Sequence, residues 1–246
     1  MNTLFIGHKL IHLDSVDSTN KYAAKLVSLP EWVEGTVIVA DEQLQGKGRH
    51  DRVWNSHPGQ NLMCSILFKP TFLSSKHIFL LQMMSALAVS DALNFFLPNS
   101  TKVKWPNDIY IGSEKISGIL TETSLRGTSL TAAIIGIGVN LNQTDYEGLK
   151  ATSLRLQLGN PIERSLFLSQ LCSHVEARYL EMKNRPTKLV KDYHSCLFGL
   201  GAPLQYTYRG SEITAVLQHV EMDGTATFIT ANGKISCRID DIKWIG

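Results

Sequence analysis

The period of the apolar positions changes several times along the chain, and each change marks an element. Short continuous or alternating apolar runs predict strands at Lys9–Leu13, Thr36–Ala40, Asn61–Lys69, Val103–Trp105 and Thr131–Leu141. Ile109–Gly112 and Ile116–Thr123 flank Gly112-Ser113-Glu114-Lys115 and predict a hairpin. Helical spacing occurs in four places. Asp17-Ser18-Thr19-Asn20 is a run of capping residues that opens a short helix over Lys21–Ser28, with Pro30 beyond its end. A cap at Ser74 or Ser75 starts a helix carrying Ile78, Leu81, Met84, Ala88, Leu93 and Phe96, which stops before Pro98. Asn160-Pro161 pairs a cap with a first-turn proline and starts a helix from Glu163 to Lys183. A further helix spans Thr187–Cys196.

Two regions break the pattern. Residues 41–60 have no apolar period and hold Gly46, Gly48 and Gly59 among several charges, so they predict a long, functional loop. After Gly199-Leu200-Gly201 the texture turns to short strands, with hairpin dipeptides at Asp223-Gly224 and Asn232-Gly233. The chain therefore divides into a mixed domain over residues 1–198 and a small all-β domain over 199–246. Strands and helices alternate without a regular βαβ beat, which predicts an α+β fold rather than a doubly wound sheet.

Composition acts mainly by exclusion. The 246 residues, 43% hydrophobic and 19% charged, are enough for a full core and do not suit a disordered, collagen-like or coiled-coil chain. The net charge of +2 gives no overall field toward DNA or an anionic membrane. Cys64, Cys172, Cys196 and Cys237 form no CxxC pair, so we expect buried thiols in a reducing, cytoplasmic setting rather than zinc or redox chemistry. The N-terminus has no signal-peptide pattern. The apolar stretch at 78–97 is broken by Gln82, Ser85, Ser90, Asp91 and Asn94, short of the roughly 18 clean residues of a membrane span.

Common nucleotide and hydrolase motifs are missing. There is no P-loop, GxSxG or HExxH, and Gly46-x-Gly48 and Gly136-x-Gly138 both fail the Rossmann fingerprint. His8 and His12 are four apart with no cysteine or carboxylate next to them in sequence, so no metal site is expected. Four other segments stand out, each with a plain reading beside a functional one. Gly46-Lys47-Gly48-Arg49-His50-Asp51-Arg52 is either a solvated loop or a backbone-and-cation cradle for an anion. Lys104-Trp105-Pro106-Asn107-Asp108 is a strand end with a tight turn, or a cation and amide presented to a ligand. Gly136-Ile137-Gly138-Val139-Asn140 marks dense packing against a neighbouring strand, or a bulge or the close approach of a ligand or another backbone. Ser18-Thr19-Asn20 is a helix cap, or a set of polar groups for a ligand head.

Taken in order, these four segments resemble the biotin protein ligases, as does Lys115-Ile116-Ser117-Gly118 after the KWPND string. Trp54 after the glycine loop and Ala151-Thr152-Ser153-Leu154 fit the same family. The resemblance spans residues 17–160 and identifies the monofunctional type of ligase, with a class II synthetase-like catalytic domain and an SH3-like C-terminal domain. It implies activation of biotin by ATP to biotinyl-5′-AMP, then transfer to a lysine of a biotin carboxyl carrier protein or carboxylase domain. By resemblance, Ser18, Thr19, Asn20 and Gln43 hold the ureido head, and Gly46, Lys47, Gly48 and Arg49 cover the adenylate. Lys104 meets the biotin carboxylate and phosphate, and Gly118, Gly136 and Gly138 belong to the biotin pocket. Arg49, Trp54, Asn107, Lys115 and Asn140 serve the nucleotide, and Asp108 assists the transfer. Joining a carboxylate to a triphosphate requires fixed cations, here Arg49, Lys104 and Lys115, together with Mg²⁺.

Lys47, His50 and Asp51 depart from the family loop, which has arginine and glycine there. Lysine keeps the charge but loses the bidentate fork of arginine. There is no room for a helix-turn-helix before Ser18 and the net charge is only +2, so no DNA partner is expected; the charge and the lack of a clean apolar run give no expectation of a membrane partner, and the assembly is expected to be a monomer or a homodimer. The competing readings are a lipoate or octanoate ligase, which needs an apolar slot instead of converging polar groups, and a biotin-binding module without turnover.

Overall fold

Alternation along the strands builds a sheet with two unlike faces. A computed structural model describes residues 2–49 and 52–245. The large sheet contains β1 (Leu10–Val16), β2 (Val37–Gln43), β3 (Leu62–Phe68), β4 (Thr101–Lys104), β5 (Asp108–Ile111), β6 (Glu114–Arg126) and β7 (Ser129–Val139). Their order is β1-β2-β3-β7-β6-β5-β4; β1 and β2 run parallel and the other pairs antiparallel. One face of β2 and β3 carries Val37, Val39, Cys64, Ile66 and Phe68 into the main core. The other face carries Ile38 and Leu67, which with Ile134 meet Ala23 of α1 (Thr19–Val27).

Against the main face lies α2 (Phe79–Phe96), backed by α4 (Arg164–Asn184) and α5 (Pro186–Cys196), with a short α3 (Leu154–Leu158) beside them in sequence. Helix α2 is buried on nearly every side, which is why its residues are apolar all round. Over Ser75–Phe96 it is long and apolar enough to cross a membrane by composition alone, so the expectation that no stretch would qualify was too strict. The window is 72% buried inside the protein, which is the role of a core helix. Each large apolar side chain buried in this way contributes about 1.5–3 kcal/mol.

The second sheet, in the order β11-β10-β9-β8-β12, is built from β8 (Pro203–Tyr208), β9 (Ser211–Val220), β10 (Ala226–Thr230), β11 (Gly233–Cys237) and β12 (Ile242–Trp244). The two NG/DG turns fall between β9 and β10 and between β10 and β11, as their sequence predicts. Gly224, at φ +89°, packs on α2: a Cβ there would lie 2.7 Å from Phe79 Cδ2. The turn therefore also docks the small sheet onto the large domain.

Some boundaries differ from the sequence reading. α1 begins at Thr19, so Thr19 and Asn20 lie inside it, and the Ser18 side chain makes no capping bond. Residues 41–43 belong to β2, which shortens the predicted loop. α4 starts after Glu163, leaving Asn160-Pro161 outside the helix. Helix α3 has no counterpart in the periodicity; Ser153 caps it and Gly159, at φ +79°, ends it. His12 does have carboxylates near it: with Asp14 and Asp41 it forms a surface group, although Asp41 is also held by Arg164 at 2.7 Å.

Candidate active site

Beyond the N-terminus of α1, between the sheet and the small β domain, lies a cavity of about 610 Å³. Its two ends differ in chemistry.

At the α1 end, Ser18, Thr19 and Asn20 are 5%, 3% and 6% exposed. Gln43 Oε1 accepts from the Thr19 backbone N–H at 2.7 Å and from its hydroxyl at 3.1 Å. The Ser65 hydroxyl, fully buried in β3, lies 2.8 Å from Thr19 Oγ1 and 2.6 Å from Asn20 Oδ1. Asn20 Nδ2 donates to Glu122 at 2.6 Å. These bonds fix amide polarity. With its oxygen occupied twice, Gln43 has its NH₂ left to donate; with its NH₂ on Glu122, Asn20 has acceptor capacity left on Oδ1.

The strand glycines make room for these side chains. The β3–β7–β6 register runs without a bulge at Gly136 and Gly138, and Gly118 faces Gly138 across the strands. A Cβ at Gly136 would stand 2.4 Å from Asn20 Oδ1, and one at Gly138 would stand 2.5 Å from Trp54 Cε2. The Trp54 ring thus lies over the Gly138 backbone and against Gly118, and its buried indole N–H has no hydrogen-bond partner among the described residues.

At the far end the groups are charged. Lys115 Nζ pairs with Asp108 at 2.6 Å and sits 5.6 Å from the centre of the Trp54 ring. Lys104 Nζ lies 3.4 Å from the Tyr110 hydroxyl. Burial lowers the Lys104 pKa, as do the charges of Lys115, Arg52 and Lys243, while Asp108 opposes them. Arg49 Nη2 reaches Asp240 of the small domain at 2.7 Å. Asn107 is tied to β6 in both directions, its side chain donating to Ile119 O at 2.9 Å and its own carbonyl accepting from Ile119 N–H at 3.0 Å.

Most of the residues named from the sequence line this one cavity: Ser18, Thr19, Asn20, Gln43, Lys47, Gly48, Arg49, Trp54, Lys104, Asn107, Asp108, Lys115, Gly118, Gly136 and Gly138. Gly46 and Asn140 do not. Gly46 instead packs on the Trp54 backbone. Asn140, 4% exposed, donates to Thr152 O at 3.0 Å and so holds the 151–154 segment, whose Ala151 bridges Lys115. His50 and Asp51 lie outside the described residues. Sequence reasoning missed Ser65, Glu122 and the whole wall supplied by the small domain, including Asp240, Lys243 and Trp244. A legible signal existed for Ser65, the one polar residue inside LMCSILF.

A neutral hydrogen-bonding end joined to a cationic end is the layout of a site for a polar-headed acid beside a polyanion. Comparison with known proteins agrees. The profile of the biotin/lipoate A/B protein ligase family matches residues 12–140, and the chain belongs to that family. It is 34% identical over 213 residues to the bifunctional ligase/repressor BirA of Bacillus subtilis, covering 83% of this chain and 64% of that relative. It is 27% identical over 198 residues to the biotin–acetyl-CoA-carboxylase ligase of Mycobacterium tuberculosis, covering 78% of this chain and 72% of the relative. The biotin protein ligase of Aquifex aeolicus, solved with biotin and ATP, superposes with a TM-score of 0.81 at 27% identity, covering 97% of this chain and all of that one. The chain thus spans 64% of the length of the BirA relative and all of the solved Aquifex chain. Both the mixed α+β domain and the small C-terminal β domain match the biotin protein ligase fold.

Proposed function

We propose that the chain condenses biotin with ATP to biotinyl-5′-AMP and passes the biotinyl group to a lysine of a carboxylase carrier domain, in the cytoplasm. The observation that carries this reading is the fixed polarity of the α1 end. A cyclic urea presents one carbonyl acceptor and two N–H donors. Gln43 offers a donor, Asn20 an acceptor, and Ser18 a hydroxyl free of capping duty. A lipoyl or octanoyl chain would leave these groups unpaired, a cost of about 1–3 kcal/mol for each buried group.

Chemistry belongs to the cationic end. In the first step a carboxylate oxygen of biotin bonds to the α-phosphorus and pyrophosphate departs. The two anions repel, and Lys104, Lys115 and Arg49 offset that repulsion as charge builds. The acids lining the cavity, Asp108 and Asp240, are already paired with Lys115 and Arg49, so Mg²⁺ would enter with ATP as part of the substrate, near Asn107 and Asp108. Trp54 provides a flat face for a base. In the second step the acceptor amine attacks the acyl carbon, AMP leaves, and the amine loses a proton; the role of accepting it is assigned to Asp108 by its family position and its place in the cavity lining. The adenylate hydrolyses readily, so the glycine segment at 46–49 serves as its cover. Protection of that segment from protease by biotin plus ATP would follow.

Biotin-dependent exchange of labelled pyrophosphate into ATP tests the first step, with lipoate and octanoate in parallel. Exchange with biotin alone is expected. Exchange with lipoate instead would move the chain to the other branch of its family, and binding of biotin without exchange would leave a binding module.

A further inference from the structure

Lys104 ends β4 inside a group of aromatic rings. Its Nζ lies 4.7 Å from the ring centre of Trp244 and 5.1 Å from that of Tyr110. Trp244 in turn meets Tyr110 edge-on, at 6.1 Å and 86°, and Phe198 at 5.3 Å and 66°. The three rings come from different parts of the chain: Tyr110 from β5, Phe198 from the link between domains, and Trp244 from β12. β12 is three residues long and, among the described strands, pairs with β8 alone, which places Trp244 opposite Tyr206. The last strand of the small domain thus brings an indole back to the cationic end of the cavity.

We propose that Trp244, on the last strand of the small domain, is a positioning residue for Lys104. The inference rests on the ligase reading for its chemistry but on the ring geometry for its substance. A ring face attracts an ammonium without cancelling its charge. A carboxylate in the same place would compete with the incoming anions, and the two acids at this end, Asp108 and Asp240, are bound to Lys115 at 2.6 Å and to Arg49 at 2.7 Å. Lysine has a long flexible stem, so a charge that must meet both a carboxylate and a phosphate needs to be held. Two rings on two domains hold it.

The test is a double-mutant cycle read by biotin-dependent pyrophosphate exchange. Trp244→Leu is expected to lower kcat about 3- to 30-fold, the range expected for losing a partly desolvated cation–π contact, with little change in the KM for biotin. Trp244→Phe should recover most of that loss. In a Lys104→Met background, Trp244→Leu should cost nothing further. Equal losses for Leu and Phe, or an undiminished loss in the Lys104→Met background, would show that Trp244 only packs the domain, and would overturn the proposal. A second readout is independent of activity. In protein labelled with ¹³C-lysine, the side-chain methylene resonances of Lys104, assigned by their absence in Lys104→Met, should be shifted upfield by the rings and relax in Trp244→Leu. A resonance at the ordinary lysine position in the unaltered protein would also overturn the proposal. An upfield Lys104 in a chain that exchanges no acid would uphold the seating of Lys104 and remove the ligase reading instead.

Discussion

At the α1 end of the cavity, Thr19, Asn20, Gln43 and Ser65 are bonded to one another on regular elements, and only Glu122 at the edge of the network carries charge. At the β4–β5 end, Lys104, Lys115 and Arg49 stand beside rings and carboxylates, and part of the wall belongs to another domain. The first end discriminates by which atoms donate and which accept. The second works by charge, and needs its cations held without being neutralised. Substitutions should therefore separate head-group binding from turnover.

The largest separation should come from the charged end. Lys115→Met removes a cation next to the reacting groups and strips Asp108 of its 2.6 Å partner. Biotin-dependent exchange should fall about 10²- to 10³-fold, as for other lost charge-stabilising contacts. Biotin affinity, measured by calorimetry without ATP, should fall much less. Equal losses in both would mean that the two ends are not separable.

Gly136→Ala attacks the other end. The new Cβ would meet Asn20 Oδ1 at 2.4 Å, and since Asn20 is held by Ser65 and Glu122, strain of about 1–3 kcal/mol follows. Biotin affinity should drop roughly ten- to a hundredfold at that cost, with ATP binding unchanged. Ser65→Ala is the milder form of the same experiment. It removes the donor to Asn20 Oδ1 inside a fully buried site, for about 1–2 kcal/mol and roughly a tenfold loss in biotin affinity. Retention of full biotin affinity in both variants would remove Asn20 from the head-group site.

How much of this was legible in the sequence follows from range. The hairpin turns at Asp223-Gly224 and Asn232-Gly233, the core helix and the glycine strand are local signals, and each produced the expected element. Ser18 was ambiguous because capping and ligand binding ask for the same residue types; only the missing cap bond separates them. Gly136 and Gly138 signalled a close approach but not its source, since Asn20 and Trp54 are more than 80 residues away in sequence. Asn140 sits in a motif beside the glycines, yet its amide is spent on Thr152, a partner no local pattern reveals. Which residues the small domain supplies was not legible for the same reason: Asp240 and Trp244 reach the cavity only after the two sheets dock.

The smallest expected effect tests whether that docking can be loosened without disturbing the head-group end. His194 on α5 and His219 on β9 face each other across the domain contact, ring centres 4.4 Å apart, and the Val220 N–H donates to His194 Nε2 at 3.0 Å. His219 also lies 3.4 Å from Glu221. Burial, and then the charge of His219, hold the His194 pKa below its ordinary 6.5, while the Val220 carbonyl and Glu221 pull the other way. The folded protein therefore takes up this proton less readily than the unfolded chain. Its contribution to stability is complete above pH 6.5 and is lost as the pH falls through the lowered value. Protonation also reverses the bond at Nε2, which then donates to the Val220 carbonyl, 3.0 Å away, instead of accepting from the Val220 N–H. Because β9 belongs to the sheet that carries Asp240 and Trp244 to the cationic end, mild acid should weaken exchange before it weakens biotin binding. Following both from neutral pH to about 5.5 checks this, with His194→Gln as control, whose side-chain oxygen can accept from Val220 at any pH. A flatter exchange profile in the control is expected. If both signals fell together in the two proteins, the acid sensitivity would belong to the head-group end or to the reaction itself, and the domain contact would have no part in it.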